Sequence, residues 1–154
     1  MDETGLLTKE VNALLSEGYQ MWEGFGLPEP EEKEKRLVIE TAVKSCEGGK
    51  FQKEYAAACL SFYLFRKLHE MSESAPETGT LLGDYFFSRF SHYLIPIDNT
   101  RLIDLFSEYL KTDAKETFEK AGETEKTAGR CGLFCLDYID FIQRTAKEAG
   151  LSCD

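Results

Sequence analysis

The chain has 154 residues, 42% of them hydrophobic and 12% aromatic, which suits one domain spanning residues 1–154. Its formal net charge of −10 disfavours nucleic acids and anionic membrane surfaces as partners, because their phosphate groups would be repelled. The longest apolar run, residues 55–65, is shorter than the ~20 residues that a membrane-spanning helix needs. The first residues lack the basic and apolar regions of a secretion signal. We therefore expect a cytoplasmic protein with no stable membrane insertion, whose five cysteines are reduced.

Helical periodicity recurs along the chain, whereas the alternation typical of strands does not. A first helix is predicted over residues 7–22, and glycines and prolines in residues 24–30 break it. A second helix follows this break with glutamates at its positive dipole end, and it stops near residues 48–49. A third helix is predicted over about residues 52–71. It is apolar on most sides, so we expect it at the centre of the core.

The stretch 72–80 is rich in Ser, Glu, Pro and Gly and is predicted to be a loop. A fourth helix covers about residues 81–94 and stops before Pro96, since the residue before a proline disfavours helical backbone. A fifth helix carries an apolar stripe over residues 102–110. Three residues before that stripe are candidates to cap its start: Asp98, Asn99 and Thr100.

Weak breaks are predicted at Asp113 and Gly122, ahead of a last long helix that stops at Gly150. Its apolar residues recur at helical spacing, with the two cysteines interpreted as core thiols: Ala128, Cys131, Cys135, Tyr138, Ile142 and Ala146. This spacing suits antiparallel helix packing. The sequence therefore predicts an all-α bundle of about six helices.

Three segments, in this order, resemble the N-terminal half of the trans-prenyl diphosphate synthase family. Residues 34–37, Glu-Lys-Arg-Leu, resemble the start of its Gly-Lys-Arg-Leu-Arg-Pro motif. Residues 55–70 are similar to the helix that leads into its first aspartate-rich motif. Residues 80–89, Thr-Leu-Leu-Gly-Asp-Tyr-Phe-Phe-Ser-Arg, resemble its Leu-x-Gly-Asp-[Tyr/Phe]-Leu-x-Ser-Arg segment. The resemblance, which extends from residue 33 to residue 128, implies a helical bundle like the N-terminal half of the isoprenoid synthase fold.

The resemblance also implies roles for individual residues. The basic residues of the first motif hold a diphosphate in the family, which makes Lys35 and Arg36 candidate diphosphate contacts. Lys126 matches a Lys-Thr-Ala of the family and is a third candidate. Phe65 falls where the family tunes product length and is a candidate for the wall that limits the growing chain. Solvated helix faces for the cations, and a plain core position for Phe65, are the alternatives.

The metal-binding motif of the family is missing. Where it has Asp-Asp-x-x-Asp to hold magnesium, residues 69–74 read His-Glu-Met-Ser-Glu-Ser. A chain without these carboxylates would leave the charge of a departing diphosphate uncompensated, so we expect it to be inactive alone. We predict no metal site and no cofactor bound by this chain.

A variant of the family fits these departures. In the heptaprenyl diphosphate synthase component I type, a short non-catalytic subunit packs against a full-length catalytic partner that holds magnesium. By this resemblance the chain is a regulatory subunit that supports elongation from isopentenyl diphosphate, with a link to menaquinone biosynthesis. The predicted subunit interface comprises Gly83, Asp84, Tyr85, Phe86, Ser88, Arg89 and Phe90.

The interface prediction has a structural consequence and an alternative. At least one aromatic residue among Tyr85, Phe86 and Phe90 should be exposed in the isolated chain if a partner covers this helix. Asp84, near the predicted helix start, is otherwise a capping or dipole-favoured acid. The alternative function is a self-associating helical protein, such as a homodimer, or a binder of an apolar ligand between its helices.

Overall fold

A computed structural model describes residues 3–27, 31–71, 76–120 and 130–152. The described part of the chain is all-α, as predicted, with no strand among these residues. Its seven helices are, in chain order, α1 (Glu3–Leu14), α2 (Ser16–Gly24), α3 (Glu32–Ser45), α4 (Gln52–Met71), α5 (Pro76–Leu94), α6 (Thr100–Lys120) and α7 (Arg130–Glu148).

Helix α4 lies at the centre of the bundle. Every residue from 55 to 64 is buried, and α4 packs against α1, α3 and above all α5. A helix that is apolar on all sides is stable in water only when neighbours enclose it, which explains its position. Over the described ranges, no helix is both long and apolar enough to cross a lipid bilayer.

The single first helix that the sequence predicts is two helices. The chain breaks at Leu15, whose φ of −105° and ψ of 9° are not helical. The break redirects the chain, so that α1 packs on α3 and α4 while α2 packs on α5. The Tyr93 hydroxyl donates to the carbonyl of Leu14 at 3.5 Å, just before the break. The prediction of a single helix was wrong because the two parts of one apolar stripe pack on different neighbours, the first on α3 and α4 and the second on α5.

Helix α5 begins earlier than predicted. Pro76 is its first residue, a position that proline favours because its fixed φ suits a helix and its missing N–H would be unpaired there anyway. The predicted loop is therefore wrong for residues 76–80. Asp84 lies more than two turns inside the helix and is exposed, so the capping interpretation of this acid is also wrong. The end of α5 at Leu94, before Pro96, agrees with the prediction.

Local hydrogen bonds set the ends of α6 and α7. The Asn99 side-chain oxygen accepts from the backbone N–H of Leu102 at 3.0 Å, as predicted for a cap. Gly150, at φ +70°, ends α7 together with a bond from the Leu151 N–H to the Ala146 carbonyl at 2.9 Å. The predicted break at Asp113 is wrong, because α6 continues to Lys120. Gly122 lies outside the described residues.

Two buried tyrosines connect α4 with α7. The Tyr55 hydroxyl donates to the Ile142 carbonyl at 2.8 Å, and the Tyr138 hydroxyl donates to the Cys59 carbonyl at 2.5 Å. Ile142 is buried, as its place on the predicted stripe requires. Of the other stripe residues, Tyr138 and Ala146 are buried too. The side chains of Ala128, Cys131 and Cys135 lie outside the described part.

Candidate binding groove

The predicted subunit interface lies in residues 83–90 of α5, which we call the family-like run, and it is divided between different faces of the helix. Three of its members are buried: Gly83, Phe86 and Phe90. Two are exposed, Asp84 and Ser88, and two are half-buried, Tyr85 and Arg89. A helix turns about 100° per residue, so a contiguous run cannot present all of its side chains to one partner. Only part of the predicted interface is therefore accessible on the surface.

The predicted exposure of an aromatic residue on this run is wrong. Phe86 is fully buried and packs edge-on against Trp22, with ring centroids 5.9 Å apart. Phe90 packs against Phe62 and Phe106 at 5.2 and 4.9 Å. Tyr85 is half-buried. These rings face the core because α4 and α2 cover the inner side of α5.

Tyr85 and Arg89 form one edge of α5 together with Tyr93. The guanidinium carbon of Arg89 lies 5.8 Å from both tyrosine ring centroids, a distance at which cation and ring attract each other. The Tyr85 hydroxyl and the Arg89 Nε are buried and have no hydrogen-bond partner among the described residues. Burial raises the pKa of Tyr93.

Phe65 belongs to the same aromatic system. It is half-buried near the end of α4, and its ring centroid lies 5.1 Å from that of Phe87 on α5. Gly83 lies beside this ring, and a Cβ built there would meet Phe65 at an ordinary contact distance of 3.8 Å. Phe65 therefore packs against the inner side of the family-like run. Its role as a chain-length wall stays a prediction.

The two predicted diphosphate contacts within the described residues, Lys35 and Arg36, differ in burial. Lys35 is buried; its Nζ pairs with Glu32 Oε2 at 3.1 Å and lies 4.6 Å from the ring centroid of Tyr19. Arg36, its neighbour in sequence, is exposed. Lys126 lies outside the described residues. The Lys35 cation is therefore engaged within the fold, which explains its burial without a ligand.

A second buried polar cluster was not predicted. Glu34 Oε1 accepts from the Tyr63 hydroxyl at 2.6 Å and lies 3.4 Å from Lys67 Nζ. Lys67 is only 8% exposed, and a buried ammonium requires such compensation. The sequence carried one hint, because Lys67 interrupts the apolar side of α4. The sequence alone could not identify Glu34 on α3 as its partner, because that pairing depends on how α3 and α4 pack together.

An apolar groove lies between α5 and α6. The backbones of these two helices hardly approach each other, and the gap between them is a groove of about 390 Å³. Side chains of α4, α5, α6 and the connecting turn line it: Phe62, Phe87, Phe90, Ser91, Leu94, Ile95, Asp98, Ile103, Phe106, Ser107 and Leu110. We call this feature the α5–α6 groove. Its volume lies in the range of ~300–1,000 Å³ typical of ligand sites.

Acidic side chains flank the α5–α6 groove. Asp98 lines it directly and has a positive φ of 47°, in the left-handed region that Asp tolerates. Asp84 is three and seven residues before the lining residues Phe87 and Ser91, so it lies on the same face of α5. Asp104 follows Ile103 on α6. All three carboxylates are exposed, and none has an ion-pair partner in the part of the chain that the structure describes.

The sequence of α6 contains a signal for this groove. The stripe on α6 spans five apolar residues, Leu102, Ile103, Phe106, Tyr109 and Leu110, and so covers more than one narrow seam. Phe106 and Tyr109 pack against Phe141 of α7, with ring centroids 5.0 and 4.1 Å apart. Ile103 and Leu110 instead line the groove. When the apolar stripe of a helix is wider than the surface that its packed neighbour covers, the uncovered part indicates a second contact.

The described residues contain no group of three or more His, Cys, Asp or Glu side chains placed to hold a metal ion. Burial raises the pKa of Cys46 to about 12 and that of Cys59 well above its usual value, so both thiols stay protonated and unreactive near neutral pH.

Comparison with protein-family models, with curated proteins and with solved structures finds no match for this chain.

Proposed function

We propose that this chain is a non-catalytic subunit of a trans-prenyl diphosphate synthase, binding a full-length catalytic partner and supporting elongation from isopentenyl diphosphate. The observation that carries the proposal is the arrangement around the family-like run of α5. Its inner side packs on α4 through Phe90 and Phe62. The same two rings, together with Phe87, line an apolar groove. The chain thus offers an apolar surface to a partner.

The division of labour follows from the residues. In the partner, carboxylates hold the magnesium that compensates the diphosphate charge. In this chain, His69 is exposed where the family has its first metal-binding aspartates. The chain contributes packing surface, and the partner contributes the ionisation of the allylic diphosphate. A link to menaquinone side chains belongs to the same proposal.

Co-expression with a full-length trans-prenyl diphosphate synthase from the same genome tests the proposal. We expect the two proteins to co-purify and the products to be longer than those of the catalytic subunit alone. The isolated chain, given magnesium, isopentenyl diphosphate and an allylic diphosphate, should form no product. Absence of a complex together with unchanged product length would reject the proposal.

A matched pair of variants locates the contact. Ser88 is exposed on the outer side of α5 and Ser16 is exposed on α2, so either position accepts a larger side chain without repacking the core. Ser88→Arg should weaken the complex, whereas Ser16→Arg should leave it intact. The alternative function, self-association, predicts instead that the isolated chain is a stable dimer by light scattering.

A further inference from the structure

Two large apolar side chains at the α5–α6 groove are exposed to solvent. Ile95 is 73% exposed and Ile103 is 47% exposed, although both line a concave surface whose aromatic floor includes Phe90 and Phe106. Single exposed apolar residues are ordinary, but exposed residues grouped around a concave aromatic floor mark interaction surfaces. An occupant of this groove would bury both isoleucines at once and contact the aromatic floor.

The charges around the groove restrict that occupant. The described residues that line it include no Lys, Arg or His. Asp98 lines it and is its only charged lining residue among those described. The exposed Asp84 and Asp104 lie on the adjoining faces of α5 and α6, where His92 and Lys111 are exposed too. The full chain adds a net charge of −10. An occupant with a carboxylate or phosphate head would be repelled, whereas Lys or Arg side chains beside an apolar stripe would be attracted.

We infer that the α5–α6 groove binds a basic amphipathic helix of the partner subunit. Apolar side chains of that helix at i, i+3 or i+4, and i+7 would contact Phe90, Phe106 and Ile103, and its Lys or Arg side chains would face Asp98 and Asp104. Phe90 and Phe106 touch at the floor of the groove, and a third helix above them would fill the space that the separated backbones of α5 and α6 leave. The inference rests on the proposed function, because it names the surface and the chemistry by which the partner binds.

Synthetic peptides test the groove without the partner. One 18-residue probe has Leu at i, i+3, i+4 and i+7 positions and Lys elsewhere, and the second has the same Leu pattern with Glu in place of Lys. Binding of each labelled peptide to the full chain is followed by fluorescence anisotropy. We expect the Lys peptide to bind about tenfold more tightly at low salt, and this preference to shrink at 0.5 M salt as the charges are screened.

Variants assign the binding to the groove. Asp98→Asn with Asp104→Asn should weaken binding of the Lys peptide about fivefold. The matched control, Glu10→Gln with Glu47→Gln, removes the same charge from exposed positions on α1 and on the turn after α3. It should change the affinity less than twofold. Ser107→Trp should abolish binding, since this exposed position lines the groove and a bulky ring there fills it.

Four results would overturn the inference. Equal affinity for the two peptides would mean that the occupant is selected by apolar contact alone, as for a neutral ligand. Equal weakening by the control pair and the groove pair would mean general charge attraction. A dimer of the isolated chain that Ser107→Trp dissociates would mean that a second copy occupies the groove. If the full-length synthase binds wild type and Ser107→Trp equally well, the groove inference fails while the proposed function stands.

Discussion

Gly18 is the position where a single methyl group should test the packing of α2 on α5. It is buried, and a Cβ built there would lie 2.7 Å from Phe86 Cε1 and 2.7 Å from Tyr85 Cε1. Such distances force a shift. Neither ring moves freely, because Phe86 is fully buried against Trp22 and against Tyr85, whose ring centroid is 5.3 Å away. Gly18→Ala should therefore displace α2 from the edge of α5.

The magnitude follows from comparison with a second glycine. Replacing Gly by Ala inside a helix stabilises it by ~1 kcal/mol, and overpacking a well-filled core costs ~1–3 kcal/mol. Gly18→Ala combines both effects and should lower the free energy of unfolding by up to ~2 kcal/mol. Gly83→Ala should gain stability, because its Cβ would meet only Phe65 at an ordinary 3.8 Å. The two variants should differ by ~1–3 kcal/mol.

Urea unfolding followed by circular dichroism measures this difference. With an m value of about 2 kcal/mol per molar urea, a difference of ~2 kcal/mol separates the midpoints by about 1 M. Gly24→Ala is a further control at the end of the same helix, since a Cβ there meets nothing within 4 Å. The reasoning would be refuted if Gly18→Ala were as stable as Gly83→Ala.

Three further predictions concern buried polar groups. Tyr55→Phe and Tyr138→Phe should each lower the free energy of unfolding by about 0.5–1.5 kcal/mol, because each removes a buried bond to a carbonyl; urea titrations that match wild type would contradict this. Glu34→Gln should lower the free energy of unfolding by about 1–3 kcal/mol and Glu32→Gln by about 0–1 kcal/mol. The reason is that the Glu32 side chain is 69% exposed and that of Glu34 only 19%. Equal losses of stability in urea titrations would refute this distinction. Burial raises the pKa of Cys46 from 9.0 to about 12. Its thiol therefore ionises first in the unfolded chain, and its contribution to stability is full below pH 9 and falls by up to about 1.4 kcal/mol per pH unit toward pH 12. The stability gap between wild type and Cys46→Ala should narrow from pH 8 to pH 10, and a constant gap would argue against a buried neutral thiol.

Features that depend on near neighbours in the chain were predictable. The apolar sides of α4, the stop of α5 before Pro96, the cap at Asn99 and the left-handed glycine at 150 all agree with the structure. Each depends on backbone sterics or on a hydrogen bond spanning a few residues. Such signals need no knowledge of which helices meet.

The candidate site was predictable only in part. The sequence predicted a subunit interface on α5. The accessible apolar surface, however, lies toward α6, at Ile95 and Ile103, rather than at Phe86 and Phe90. The stripe on each helix shows which side chains avoid water, yet it does not say which neighbour covers them. Lys35 illustrates the same limit, because its burial depends on Tyr19 from a different helix.

By itself, the sequence determined the all-α class, the central position of α4 and the ends of most helices, since periodicity and caps act locally. The tertiary structure alone decided three things: the break at Leu15, the inward direction of the α5 aromatics, and the divergence of α5 from α6. Each depends on which distant helix supplies the packing surface. The groove exists because α6 packs against α7 and not along α5.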